Sequence, residues 1–285
     1  MSTHALALIV ITFWAAIVNG ALGYGFSSIT VPLALLFLTN RVLNPAVVVV
    51  EVVLNAYVVW VNRAALPLVW RRTRPVIAGL IPGIAIGTLV VAHVQPEWLK
   101  LWTYVGLLPL ILVQAAGVRR EIRAERTAGL ALGGGIGALY AVTTISGPPL
   151  AVALNNQGLA KQEFRAALGI VRLAESTFAA VAYAAAGFFI RDSFALVPQM
   201  IVSVAIGVPI GAALVRHLRA ETFRRVCMSF DAWIVAFGAA TLLRALRLVD
   251  GSAAYLIVAV VALLDGWLLY RFFSAARPRT VSYAA

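Results

Sequence analysis

The chain has 285 residues, of which 62% are hydrophobic and 12% charged, with a formal net charge of +12 at pH 7. A soluble domain is about half apolar and a quarter charged, so this composition excludes a soluble globular protein and reads as one polytopic membrane domain. The basic excess sits mostly in short connections between apolar segments, as membrane topology requires, and no basic face with interleaved aromatics excuses a nucleic-acid reading.

The N-terminus, MSTHALALIV, has no basic region before its apolar run, so a cleaved leader is not expected. An apolar piece at 5–19 runs into GALGYG (20–25), and a second piece follows at 27–39. Apolar stretches then fall at 45–62, 76–92 and 98–117, most of them near the roughly 20 residues that cross a bilayer. Residues 129–144 run into TTISGPPL (143–150), and a short piece follows at 149–156. Here Gly147, Pro148 and Pro149 cannot continue a helix, because each proline lacks an N–H and clashes with the preceding turn. Further stretches lie at 165–187, 194–215, 226–243 and 253–270. Cys227 is the only cysteine, which excludes an intrachain disulfide and a cysteine metal cluster.

The chain repeats itself. GIAIGTLVVAHVQPEWLK (83–100) and GVPIGAALVRHLRAETFR (207–224) share six of eighteen positions at an offset of 124, and the same offset pairs Glu51 with Glu175. Nearer the start of each half, GAL at 20–22 matches GAL at 137–139 and Pro32-Leu33 matches Pro149-Leu150, an offset of 117. The expected organisation is repeat 1 at 5–117, repeat 2 at 127–245 and an additional C-terminal helix at 253–271.

Arginine placement orients the repeats. The basic connections are 63–74 (Arg63, Arg71, Arg72, Arg74), 118–126 (Arg119, Arg120, Arg123, Arg126), 216–225 (Arg216, Arg219, Arg224, Arg225) and the tail (Arg271, Arg277, Arg279). With all four inside, residues 127–155 contribute zero or two crossings. Each half is therefore expected to open with two pieces broken at its motif, as a re-entrant hairpin or two short spans. The fold class is all-α, with two inverted repeats of the kind found in secondary transporters. Arg244 and Arg247 then fall near the outer face, where they belong to a helix end and snorkel.

After each break a helix starts, near Phe26–Ser28 and at Pro148. A helix N-terminus presents unpaired N–H groups and partial positive charge. Ser146 is an expected N-cap. Ser27, Ser28, Thr143 and Thr144 add hydroxyl donors, and Gly20, Gly23, Gly25 and Gly147 permit close backbone approach. No acid lies in either motif. Two such ends meeting near the midplane form an expected anion site, with Arg165 and Arg172 as its cationic side chains. Glu51 and Glu175 lie inside expected spans, where function is the default hypothesis for a carboxyl. Beside an anion such a group repels unless protonated, so proton coupling at Glu51 or Glu175 is expected. The structural alternative is that Glu175 pairs with Arg172, one turn away, and that Glu51 accepts hydrogen bonds from the broken backbone.

Other polar residues read as structure. Asp231, Asp265, Asn55 and Gln114 are expected to bond between helices. His93 and His217 fall on opposite faces and cannot share a metal. The ladders Gly79/Gly83/Gly87, Gly129/Gly133/Gly137 and Gly207/Gly211 read as close helix packing. GALGYG lacks the preceding strand of a dinucleotide loop, and no cofactor or metal is expected.

GALGYGFSSITVP, TTISGPPLAVAL and EFRAAL resemble the TauE/SafE sulfite-exporter family, also called TSUP, over about residues 5–270. Tyr24 and Phe26 stand where that family's first motif is glycine-richer. The resemblance implies a transporter of sulfite, sulfoacetate or other organosulfonates, working by alternating access in the plasma membrane. An inside-negative potential favours efflux of a monovalent anion by about 2.3 kcal/mol per 100 mV. The alternatives are an anion channel and an intramembrane enzyme acting on lipid phosphate. The expected partners are a small anion, protons and the bilayer, and a homo-oligomer is left open.

Overall fold

A computed structural model describes residues 3–115, 126–155, 159, 161–214 and 220–275. Every regular element among them is helical: α1 (Thr3–Leu22), α2 (Phe26–Ala34), α3 (Asn40–Val61), α4 (Leu66–His93), α5 (Pro96–Ala115), α6 (Arg126–Thr143), α7 (Gly147–Asn155), α8 (Lys161–Ala185), α9 (Arg191–Leu214), α10 (Ala220–Ala245) and α11 (Leu256–Ala275), with 3-10 turns at Arg63–Ala65 and Gly251–Tyr255. Seven helices among the described residues are long and apolar enough to cross a membrane, and Thr127–Thr143 is a shorter apolar helix. Large apolar side chains such as Trp60, Leu89, Val181 and Leu263 point outward, as the surface of a membrane protein requires.

The order long helix, break, short helix, three long helices occurs twice, from α1 to α5 and from α6 to α10. Both interruptions expected from glycine and proline are present, at residues 23–25 and 144–146. The pieces are unequal, however: α1 has 20 residues and α6 has 18, whereas α2 and α7 have 9 each. A nine-residue helix rises only about 14 Å, less than half a hydrocarbon core.

The register of the two halves also differs from the sequence match at 117. Both long helices end in a left-handed residue, Gly23 at φ 85° and Thr144 at φ 55°. Their N–H groups bond Asn19 O and Tyr140 O at 2.7 and 2.5 Å. These pairs stand 121 apart, so α6 runs one turn beyond the GAL triplet at 137–139. Helix α8 has 25 residues against 22 in α3, which supplies the three residues that carry 121 to 124.

Glycine determines which helices meet. Along α4, Gly79, Gly83 and Gly87 lie against the backbone of Leu130, Gly134 and Ala138 in α6, while Gly133 and Gly137 lie against Val76 and Leu80. A β-carbon at any of these would overlap main-chain atoms, so the ladders set close backbone approach, as their spacing led us to expect. Helix α9 packs on α1 in the same manner: Gly207 and Gly211 face Phe13, Ala16 and Ile17, and Gly20 faces Val208. Gly20 is thus a packing residue. Helices α3 and α8 lie against each other, with α4 on α8 and α9 on α3. Two apolar clusters result, one gathering around α2 and the other around α7.

Candidate functional site

The second break is nearly closed upon itself. A helix end leaves its last carbonyls without partners, and here side chains supply them. The Thr143 hydroxyl donates to Leu139 O at 2.8 Å, and the Thr144 hydroxyl to Thr143 O at 2.7 Å. The Tyr183 hydroxyl donates to Ala141 O. Asn44 Nδ2 donates to Val142 O at 2.8 Å, joined by Asn40 Nδ2 at 3.3 Å. The Ile145 N–H returns to Thr143 Oγ1 at 3.0 Å. At the start of α7, the Leu150 N–H closes onto Ser146 O at 3.0 Å. Pro148 and Pro149 carry no N–H, so Gly147 has the one backbone donor in that first turn without an intrahelical partner by construction.

Ser146 therefore occupies the N-cap position by its carbonyl, but its hydroxyl is not a cap. It donates to Glu175 Oε2. A carboxylate is the stronger acceptor and leaves the hydroxyl's single proton committed.

The first break is more open. Gly23 and Gly25, at φ 85° and 111°, turn the chain, and Gly25 N-caps α2 without a side-chain bond. The first closing bond is Ile29 N–H to Gly25 O at 3.2 Å. Phe26, Ser27 and Ser28 thus lead α2 with N–H groups that no helical carbonyl accepts. Ser27 and Ser28 are buried, and Ser28 Oγ, Thr30 Oγ1 and Asn19 Oδ1 have no partner among the described residues. The two breaks meet: a β-carbon on Gly147 would lie 3.5 Å from Tyr24 Cβ.

Glu51, Arg172 and Glu175 come together beside this junction, all of them 1% exposed or less. Arg172 does not pair with Glu175. Its Nη2 donates to Glu51 Oε1 at 2.5 Å, from α8 to α3. Long helical side chains lean toward the N-terminus of their helix, which carries Arg172 away from a glutamate three residues later. The other oxygen of Glu51 accepts from the Tyr140 hydroxyl at 2.7 Å, and no broken backbone donates to it among the described bonds. Arg172 Nε and Nη1 and Glu175 Oε1 have no hydrogen-bond partner among the described residues. Asn55 Nδ2 donates to Arg172 O at 3.3 Å, an interhelical bond as expected.

Arg165 is half-buried near the start of α8. Its counterpart at the 124 offset, Arg41, donates to Val91 O, Ala92 O and Val94 O at 2.9–3.2 Å and caps the end of α4. Arg225 is not a loop residue. It is buried in α10, and its Nη2 donates to Asp265 Oδ1 of α11 at 2.8 Å, the interhelical role expected of Asp265. Asp231 is buried on α10. His93 ends α4, with Nδ1 2.8 Å from Leu89 O. Arg244 reaches the Tyr255 hydroxyl at 3.1 Å from the last turn of α10, consistent with a snorkelling helix end. His217, Arg119, Arg120, Arg123, Arg216, Arg219, Arg277 and Arg279 lie outside the described residues, as do the side chains of Gln114, Pro148, Arg224 and Cys227.

Tyr140, Tyr183, Asn40 and Asn44 were not singled out in the sequence. Their partners lie 42 to 102 residues away, and only buried tyrosine and asparagine in apolar segments hinted at them. The geometry as a whole offers guanidinium N–H groups, serine hydroxyls and amide N–H groups in a dry setting, which suits a small oxyanion. Among the described residues no group of three or more His, Cys, Asp or Glu side chains could hold a metal ion.

A family model described as "Sulfite exporter TauE/SafE" matches residues 8–237. No curated protein and no solved structure matches the chain. The matched region contains both breaks, Glu51, Arg172 and Glu175, and ends before α11.

Proposed function

Because this chain belongs to the sulfite exporter TauE/SafE family, we propose that it carries sulfite or a related organosulfonate such as sulfoacetate across the plasma membrane, by alternating access about the junction of its two breaks. The observation that carries this reading is Arg172. A buried guanidinium is retained where it is paired and hydrogen-bonded, yet Arg172 commits only Nη2 to Glu51 and leaves Nε and Nη1 unspent. Those N–H groups, beside Ser146 and the Gly147 amide, match the oxygens of a sulfur oxyanion, and across the junction Ser27, Ser28 and the leading amides of α2 add further donors. The first break is the end with the more uncommitted side-chain donors among the described residues. At the second, Thr143 and Thr144 hold the backbone break, while Ser146 and Gly147 line the junction.

The reciprocal contacts support a two-fold relation between the halves, which the arginine placement reads as inverted. Helix α4 of one half packs on α6 of the other, and α9 packs on α1. Such an exchange is what a pseudo-two-fold axis produces, and it suits rocking of one half against the other. Neither α2 nor α7 is long enough to span, so each is a short helix that ends within the membrane after its break.

The test is counterflow in proteoliposomes. Radiolabelled sulfite outside should accumulate faster when unlabelled sulfite or sulfoacetate is inside, and uptake should saturate. Flux that neither saturates nor responds to substrate on the opposite side would favour a channel. Release of phosphate from lipid, with no sulfite flux, would favour an enzyme.

A further inference from the structure

We propose that Glu175 takes up one proton as the anion binds, and that Ser146 transmits this to the anion by reversing its hydrogen bond. The inference rests on the anion-carrier reading and adds which carboxyl couples the proton and through which atoms.

The charged and titratable groups facing Glu175 are Arg172 on its own helix, Glu51 from α3 and Tyr140 from α6, with the Ser146 hydroxyl arriving from the second break. With both carboxylates ionised, two negative charges face one positive, and the cluster sums to −1. An anion entering this buried place is repelled, and little water is there to screen it. With one carboxyl protonated the cluster is neutral, and the free N–H groups of Arg172 face the anion without a net opposing charge.

The geometry selects Glu175 as that carboxyl. Glu51 accepts from Arg172 at 2.5 Å and from Tyr140 at 2.7 Å, so protonating it would strip a buried arginine of its only carboxylate partner. Glu175 accepts one hydroxyl and keeps Oε1 without a partner among the described residues. A proton from water therefore goes onto the Glu175 carboxylate at little structural cost, and no covalent bond other than that O–H is made.

Ser146 converts the event into affinity. Its hydroxyl has a single proton. While Glu175 is ionised, that proton is committed to Oε2. Once Glu175 is protonated, the acid donates to Ser146 Oγ instead, and the serine O–H turns toward the anion beside the Gly147 N–H. Proton uptake thus removes a repelling charge and releases a donor in one step.

The experiment measures KM for sulfite in proteoliposomes as pH is raised, in wild type, Glu175→Gln, Ser146→Ala, Ser146→Thr and Glu51→Gln. Sulfite's own titration is common to all five, so the difference in slope is the readout. Over the range where Glu175 is ionised in the empty protein, wild type should lose affinity by about tenfold more per pH unit than Glu175→Gln, as linkage to one proton requires. Ser146→Ala, in which Glu175 still charges, should keep the slope but raise KM at every pH for want of the released donor, and Ser146→Thr, which keeps the hydroxyl, should restore KM; Glu51→Gln, which leaves Arg172 and Glu175 neutral without a proton, should flatten the slope. Infrared difference spectra on adding sulfite should show a protonated-carboxyl band in wild type that is absent from Glu175→Gln. This readout stands even if a variant transports poorly. Equal slopes in wild type and Glu175→Gln, or the loss of the slope in Glu51→Gln alone, overturn the inference and leave the carrier reading intact. Failure of wild type to carry any sulfite would overturn both.

Discussion

Glu51 and Arg172 sit on facing helices, 2.5 Å apart and out of water. Removing one member of such a pair leaves the other as an uncompensated buried charge. Arg172→Met is therefore expected to destabilise the fold by about 3–5 kcal/mol. The double variant Arg172→Met/Glu51→Met should recover most of that loss, since apolar replacement of a whole buried pair is close to neutral. Thermal unfolding in detergent measures both; equal losses in single and double variants would mean that the pair contributes no such coupling. Tyr140→Phe, which takes one bond from Glu51, should cost about 1.5–3 kcal/mol in the same assay. Ser28 makes the opposite case. Its hydroxyl has no partner among the described residues, so Ser28→Ala should leave stability within about 0.5 kcal/mol. If the hydroxyl donates to the anion, KM for sulfite should rise about tenfold, the equivalent of about 1.4 kcal/mol. An unchanged KM would remove Ser28 from the site.

Glycine packing governs the elements. A side chain at Gly83 or Gly207 would collide with the backbone of α6 or α1, so Gly83→Val and Gly207→Val should each cost about 1–3 kcal/mol or more. Gly106 on α5 has nothing within 4 Å of its would-be β-carbon, and Gly106→Ala is the matching control. Loss of the difference between these sites, measured as thermal stability, would contradict the packing. These ladders were legible because small residues four apart on an apolar helix have one structural use. The breaks were legible because Gly147-Pro148-Pro149 can start a helix but cannot continue one, and because Gly23-Tyr24-Gly25 interrupts the apolar run. The register between the halves was read less well. GAL at 20–22 ends a helix, whereas GAL at 137–139 does not, because three letters cannot report where a helix stops. The left-handed Thr144, which counterparts Gly23, lacked the glycine that usually marks such a turn. The partner of Arg172 was also out of reach. Proximity along α8 pointed to Glu175, while side-chain direction carried the guanidinium to a residue 121 positions away.

Across the whole molecule, the exchange of partners between halves and the buried cluster at their junction suit the carrier proposed above, in which one site would open alternately to each side. If one proton accompanies a monovalent bisulfite ion, no net charge crosses, and wild-type flux should be insensitive to an imposed potential. Glu175→Gln, carrying the anion alone, should become voltage-sensitive, with a limit near 2.3 kcal/mol per 100 mV, or about fifty-fold. Voltage-insensitive flux in both would contradict that charge balance. The most direct measurement of the central claim, that sulfite passes through the meeting point of the two breaks, is a reversible lock. With Cys227→Ser as background, Tyr24→Cys and Gly147→Cys place β-carbons about 3.5 Å apart, within disulfide range. Radiolabelled sulfite flux through this protein in proteoliposomes should stop on mild oxidation and return on reduction. Unimpeded sulfite flux through the fully cross-linked protein would show that the anion takes another route.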